Sequence, residues 1–142
     1  MKGLQGQIAL VTGASRTVGI GHAIARTLAA AGADVYITYY RPYDKVSGLA
    51  GKPNEPELLL EELRGLGVRA AGAEYDLSDI AAPASIFDVA QAAIGPISIL
   101  INNATCSLND TIETLTADML DKHYAVNLRG MALMCREFVI RY

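Results

Sequence analysis

The 142-residue sequence predicts an α/β fold: an open parallel sheet wound on both faces by helices. Three observations carry this expectation. Short apolar runs of strand length alternate along the chain with longer stretches of helical period. The first run, Ile8 to Val11, feeds a glycine-rich turn, Thr12-Gly13-Ala14-Ser15-Arg16-Thr17-Val18-Gly19-Ile20-Gly21, that opens a helix. The third and fourth runs end in polar residues, Asp76 and Asn102-Asn103-Ala104. Parallel strands joined by right-handed crossovers bring all three of these sites to the carboxyl edge of one sheet.

Each element has its own local reason. Ile8 to Val11 is apolar throughout, as a strand buried on both faces requires. The helix after it begins near Ile20, repeats Ile24 and Leu28 at i, i+4, and meets Gly32 where a left-handed stop is wanted. Val35 to Tyr40 is β-branched and aromatic and forms the second strand. Residues 41 to 56 carry three prolines and two glycines and are expected as a long loop. Asn54 and Pro56 start a helix with Leu58 to Leu63 on its apolar face, ended by Gly65 and Gly67. Val68 to Tyr75 is the third strand. Ser78 starts an alanine-rich helix with Ile86, Phe87, Val89 and Ala90 as core positions, and Ile97 to Ile101 is the fourth strand. Thr116 caps a last helix whose pattern runs unbroken through Val126, Met131, Met134 and Phe138. The expected strand order is 3-2-1-4, with a ligand-binding switch point between strands one and four.

Composition narrows the function. A net charge of -3, with 51% hydrophobic and 19% charged residues, gives no general attraction to nucleic acid or anionic membranes. No apolar stretch is long enough to span a bilayer or serve as a leader, and Cys106 and Cys135 form no C-x-x-C pair. A cytoplasmic protein is expected. His22 and His123 lack the spacing of metal ligands, and no metal site is expected.

The glycine turn suits a dinucleotide pyrophosphate, with glycines for the sharp turn and close approach and a helix N-terminus for the charge. The competing reading is that a strand-turn-helix unit needs glycine for steric reasons alone. Taken with Asp76, Asn102-Asn103-Ala104 and Tyr124-Ala125-Val126-Asn127-Leu128-Arg129-Gly130, the turn resembles the N-terminal half of the short-chain dehydrogenase/reductase family, over essentially all of the sequence.

That resemblance implies a Rossmann-type doubly wound sheet and hydride transfer between a nicotinamide cofactor and a small carbonyl or alcohol substrate. It implies cofactor contacts at Gly13, Ser15, Arg16, Gly19, Ile20, Gly21, Arg41, Asp76, Leu77, Asn103 and Ala104, with Asp76 meeting the adenine. Asn127 matches the family's catalytic asparagine, whose carbonyl holds a proton-relaying water. It further implies a homotetramer or homodimer packed through the helix from 116 onward. NADP(H) is favoured over NAD(H), because the second strand closes on Thr38-Tyr39-Tyr40-Arg41 with no acid before Asp44, and Arg16 and Arg41 could meet a 2′-phosphate.

The sequence departs from the family's pattern in three places. Residues 14 to 18 separate Gly13 from Gly19, a longer gap than ordinary members have, and Thr105 stands where glycine is usual. No Tyr is followed four residues later by Lys: the residues four before Lys45, Lys52 and Lys122 are Arg41, Gly48 and Asp118. The family's serine and Tyr-x-x-x-Lys are therefore expected beyond Tyr142, with the sheet incomplete, the last helix cut and residues 1 to 142 inactive alone. A bacterial 3-oxoacyl-carrier-protein reductase type is the suggested substrate class. The alternatives are a non-catalytic dinucleotide-binding or interaction protein and an enoyl reductase-like enzyme, a branch that shares the long glycine spacing.

Overall fold

The computed structural model describes residues 3–48 and 51–142. Its four strands, β1 (Ile8–Val11), β2 (Asp34–Tyr39), β3 (Ala70–Glu74) and β4 (Ile99–Ile101), form one sheet in the order β3-β2-β1-β4. All pairings are parallel, with Leu10 opposite both Tyr36 and Leu100. The expected topology is therefore present. The helices are α1 (Ile20–Ala30), α2 (Arg41–Val46), α3 (Glu55–Gly65), α4 (Ala82–Ile94), α5 (Ala117–His123) and α6 (Met131–Arg141), the last two joined by a π-helical segment, Tyr124–Gly130.

Side-chain alternation along the strands divides the core into two layers. Ile8, Leu10 and Tyr36 face Ile86, Phe87, Ala90 and Met134 from α4 and α6. Val11, Val35 and Ile37 face Ala25 and Ala29 of α1 and Leu59, Leu60 and Leu63 of α3. The alanines on α1 let its backbone lie close to the sheet, which fixes where its N-terminus emerges.

Four expectations need correction. Residues 41 to 46 are helical, not loop: Pro42 sits in the first turn, where its missing N–H is no loss, and Gly48 closes the segment at φ +69°. Of the rest of the expected loop, residues 49 and 50 lie outside the described residues. The helix expected from Ser78 starts at Ala82, because Asp76 and Asp79 each bind the amide two residues on and form tight turns first. Val89, expected in the core, is exposed, at the edge of the α4 face that buries Ile86, Phe87 and Ala90. The last helix is interrupted by the π-helical segment, a widened turn that the spacing of apolar residues does not reveal. Strands two, three and four are also shorter or shifted by one to two residues at their ends.

Candidate functional site

A cleft of about 540 Å³ opens at the carboxyl ends of β1, β2 and β3, where the glycine turn, Asp76 and the segment after β4 converge. Buried Thr12 organises its floor. The Thr12 hydroxyl donates to the Ile101 carbonyl at 3.3 Å and accepts from the amides of Asn103 at 3.1 Å and Ala104 at 3.0 Å. The Asn103 amide group donates to the Thr12 carbonyl at 2.9 Å and the Gly13 carbonyl at 3.0 Å. Asn103 thus staples the turn to the strand beside it.

The three glycines of the turn do different work. At Gly13, φ is +74°, and a Cβ would lie 2.6 Å from the Ala104 Cα. A Cβ on Gly21 would lie 2.7 Å from the Asn103 amide nitrogen and from the Gly13 carbonyl oxygen. Both are required by the protein's own packing. Gly19 has an ordinary extended backbone, φ -90° and ψ 157°, and its one tight approach would be 3.3 Å from the Arg16 carbonyl. Gly19 lines the cleft as the N-cap of α1, and no side chain caps the helix there. Open N–H groups and the positive end of the helix dipole therefore face the cleft, an arrangement suited to an anion.

The other walls mix polar and apolar groups. Ser15, Arg16, Ile20, Asp76, Leu77 and Ala104 line the cleft with Asn103, so the structure brings together all of the expected cofactor contacts but one. The exception is Arg41. Its guanidinium donates to the Ser15 carbonyl at 3.2 Å, the Asp44 carboxylate at 3.4 Å and the Lys52 carbonyl at 2.9 Å, and it is not part of the cleft wall. Buried Asp44 holds it there. Asp76 accepts from the Ser78 amide at 2.8 Å and also lines the cleft. Burial, then the Asp76 carboxylate nearby, raises the Tyr40 phenol above its usual range. Burial also raises the Cys106 thiol.

Asn127 lies apart from the glycine turn, beside a second hollow of about 250 Å³ shared with Thr12, Asn102 and Met131. Its side chain braces the segment after β4, accepting from the Cys106 amide at 2.7 Å and donating to the Cys106 carbonyl at 2.8 Å. Thr105 fits without a positive φ, and its hydroxyl donates to Asn127 Oδ1 at 3.2 Å. The family's usual glycine is not needed in this backbone. On the same segment, the Leu108 amide donates to His123 Nε2 at 3.0 Å.

A scan of family models matches residues 7–141 to the short chain dehydrogenase family. The chain belongs to that family. Among short-chain dehydrogenase relatives, an uncharacterized oxidoreductase, YjdA, of Bacillus subtilis is 40% identical over 138 residues, covering 97% of this chain and 51% of the relative. A short-chain dehydrogenase of Burkholderia cenocepacia, solved in complex with NADP, superposes with a TM-score of 0.84 at 35% identity, over 97% of this chain and 51% of that one. A 3-oxoacyl (acyl-carrier-protein) reductase of Agrobacterium tumefaciens, solved with NADP bound, gives 0.81 at 34% identity, over 98% and 48%. The chain spans about half the length of the relatives it matches.

Sequence reading missed three residues at this short-chain dehydrogenase site. Thr12 is a hydroxyl at a strand end directly before Gly13, and that position was its only signal. Asp44 was visible, but several residues past β2; the helical turn of α2 folds it back to the cleft. Tyr43 arrives by the same turn, its hydroxyl accepting from the Ser107 amide at 2.8 Å and donating to the Ser107 carbonyl at 3.0 Å. Among the described residues no helix is long and apolar enough to cross a membrane, and no three His, Cys, Asp or Glu side chains gather as a metal site.

Proposed function

We propose that this chain is the NADP(H)-binding part of a short-chain reductase that interconverts a carbonyl and a hydroxyl. The observation that carries the reading is Gly19: its lack of a side chain is only weakly explained by packing, and it leaves a helix N-terminus open toward the cleft. In this reading the pyrophosphate lies against Gly13, Ser15, Gly19, Ile20 and Gly21. The adenosine side rests near Asp76 and Leu77, and Asn103 and Ala104 close the floor. A bound nicotinamide dinucleotide supplies the hydride-transfer chemistry.

Preference for NADP(H) rests on Arg16 in the cleft wall, on β2 ending in Tyr39 with no carboxylate, and on NADP in the two solved relatives. Asp44 lines the cleft too, with Ser15, Arg41 and, at 3.9 Å, Arg16 around its carboxylate. Asn127 is proposed as the family's asparagine. Its side chain is committed to Cys106, which leaves the backbone as the group able to hold a water. The 3-oxoacyl class, a cytoplasmic location and a homodimer or homotetramer belong to the same proposal, supported by family resemblance alone.

The proton donor to the carbonyl oxygen has no counterpart in the 142 residues, where no Tyr precedes Lys by four. These residues span about half the length of the relatives, and the second reading is a dinucleotide-binding chain without turnover. Fluorescence titration with NADPH and NADH, followed by assays with 3-oxoacyl thioesters, aldehydes and ketones, separates the two. NADPH binding with carbonyl-dependent oxidation supports the reductase, and binding without turnover supports the second reading. Failure to bind either dinucleotide removes both.

A further inference from the structure

The hydride-transfer reading makes no use of two buried carboxylates, Asp44 (3% exposed) and Glu55 (7% exposed). Both reach the long glycine turn. Asp44 accepts from the Ser15 hydroxyl at 3.1 Å, and Glu55 accepts from the Thr17 hydroxyl at 2.8 Å. Arg41 stands between them, 3.4 Å from Asp44 and 3.8 Å from Glu55, while its two terminal nitrogens hold the Ser15 and Lys52 carbonyls. Buried carboxylates are costly unless paired and hydrogen-bonded, so this arrangement constrains the groups that satisfy it. Those groups are Ser15, Thr17 and Arg16, whose Nε lies 3.9 Å from the Asp44 carboxylate, all within the 14-to-18 stretch that lengthens the turn.

We infer that Arg41, Asp44 and Glu55 form a clamp that sets the shape of the long glycine turn. Arg41 acts as a positioning residue for the pyrophosphate site and does not read the 2′-phosphate. The inference rests on the dinucleotide-binding reading above. The turn would hold the pyrophosphate common to NADPH and NADH, so loosening the clamp weakens both, and displacement of Arg16 with the turn adds to the loss for NADPH. A direct 2′-phosphate contact at Arg41 would weaken NADPH alone.

The test uses full-length protein and measures Kd for NADPH and NADH at a temperature where each variant is fully folded by circular dichroism. Arg41→Ala is expected to raise the NADH constant about 10-fold and the NADPH constant at least as much. Arg41→Lys is expected to behave similarly, because a point-charge ammonium cannot span the Ser15 and Lys52 carbonyls as a guanidinium does. Thr17→Val removes a partner of Glu55 that does not line the cleft and is expected to raise both constants about 3-fold. It decides the matter with Arg41→Lys if Arg41→Ala does not fold. Loss of NADPH affinity alone, or constants unchanged in Thr17→Val and Arg41→Lys, overturns the clamp. Wild-type protein that binds neither dinucleotide overturns it together with the functional reading, an outcome distinct from a selective loss.

Discussion

Asn127 and Cys106 are bonded in both directions, the Asn127 side chain accepting from the Cys106 amide and donating to its carbonyl. A primary amide matches a peptide group in this way, and no other side chain of similar size does except glutamine. Asn127→Leu is expected to leave both backbone groups of Cys106 without this partner, at a cost of about 1 to 3 kcal/mol. Chemical denaturation of wild type and variant checks the figure. An unchanged midpoint would show that water replaces the amide without loss.

The glycines of the turn should separate by phenotype. Gly21→Ala places a Cβ against Asn103 and the Gly13 carbonyl, and Gly13→Ala adds a positive φ to a clash with Ala104. Each is expected to destabilise by at least ~2 kcal/mol. Gly19→Val is expected to keep most of the stability and lose dinucleotide binding, because the branched side chain occupies the approach to the helix N-terminus. Melting curves and NADPH titration of the three variants read the two effects apart. Retained binding in a folded Gly19→Val protein would return the turn to a purely steric role.

Arg16 carries the expected cofactor preference. NADPH should bind at least ~10-fold more tightly than NADH, and Arg16→Ala should remove most of that difference, since a charge-assisted contact contributes about 1.5 to 3 kcal/mol. Equal affinities in the wild type would refute the assignment.

Tyr36 gives the fold an alkaline limit. It is 1% exposed on the central sheet, and burial, with Tyr75 and Tyr39 nearby, pushes its phenol up to about 12 from an ordinary value of 10.0. The folded state then holds a proton that the unfolded chain releases, so its stabilising effect is complete below pH 10 and is lost as pH rises toward 12. Denaturation midpoints measured across that window should fall. Tyr36→Phe should show a shallower decline, and equal slopes would exclude Tyr36 as the cause.

Strand order and the cleft's main residues were legible in the sequence because each depends on local signals: apolar runs of strand length, glycine after a strand, a polar residue where a strand stops. Arg41 and Asp44 were not, because their placement depends on a six-residue helix hidden by prolines that also suit a loop. The π-helical segment around Asn127 escaped for a related reason. A sequence period averages over turns, and one widened turn leaves the apolar spacing nearly intact. Gly13 and Gly21 were visible as glycines, but which of the turn's glycines serve the fold and which leaves room for a ligand required the positions of Asn103 and Ala104.

The Asn103 staple has a consequence for the order of assembly on the ribosome. The carbonyls it holds belong to residues 91 and 90 positions earlier in the chain. At about 5 to 20 residues per second, roughly 5 to 18 s separate synthesis of the turn from synthesis of its anchor. The nascent β1-α1-β2 unit therefore emerges with its glycine turn untied from Asn103. On the proposed dinucleotide-binding function, cofactor capture is postponed until Asn103, beyond the fourth strand, has been made.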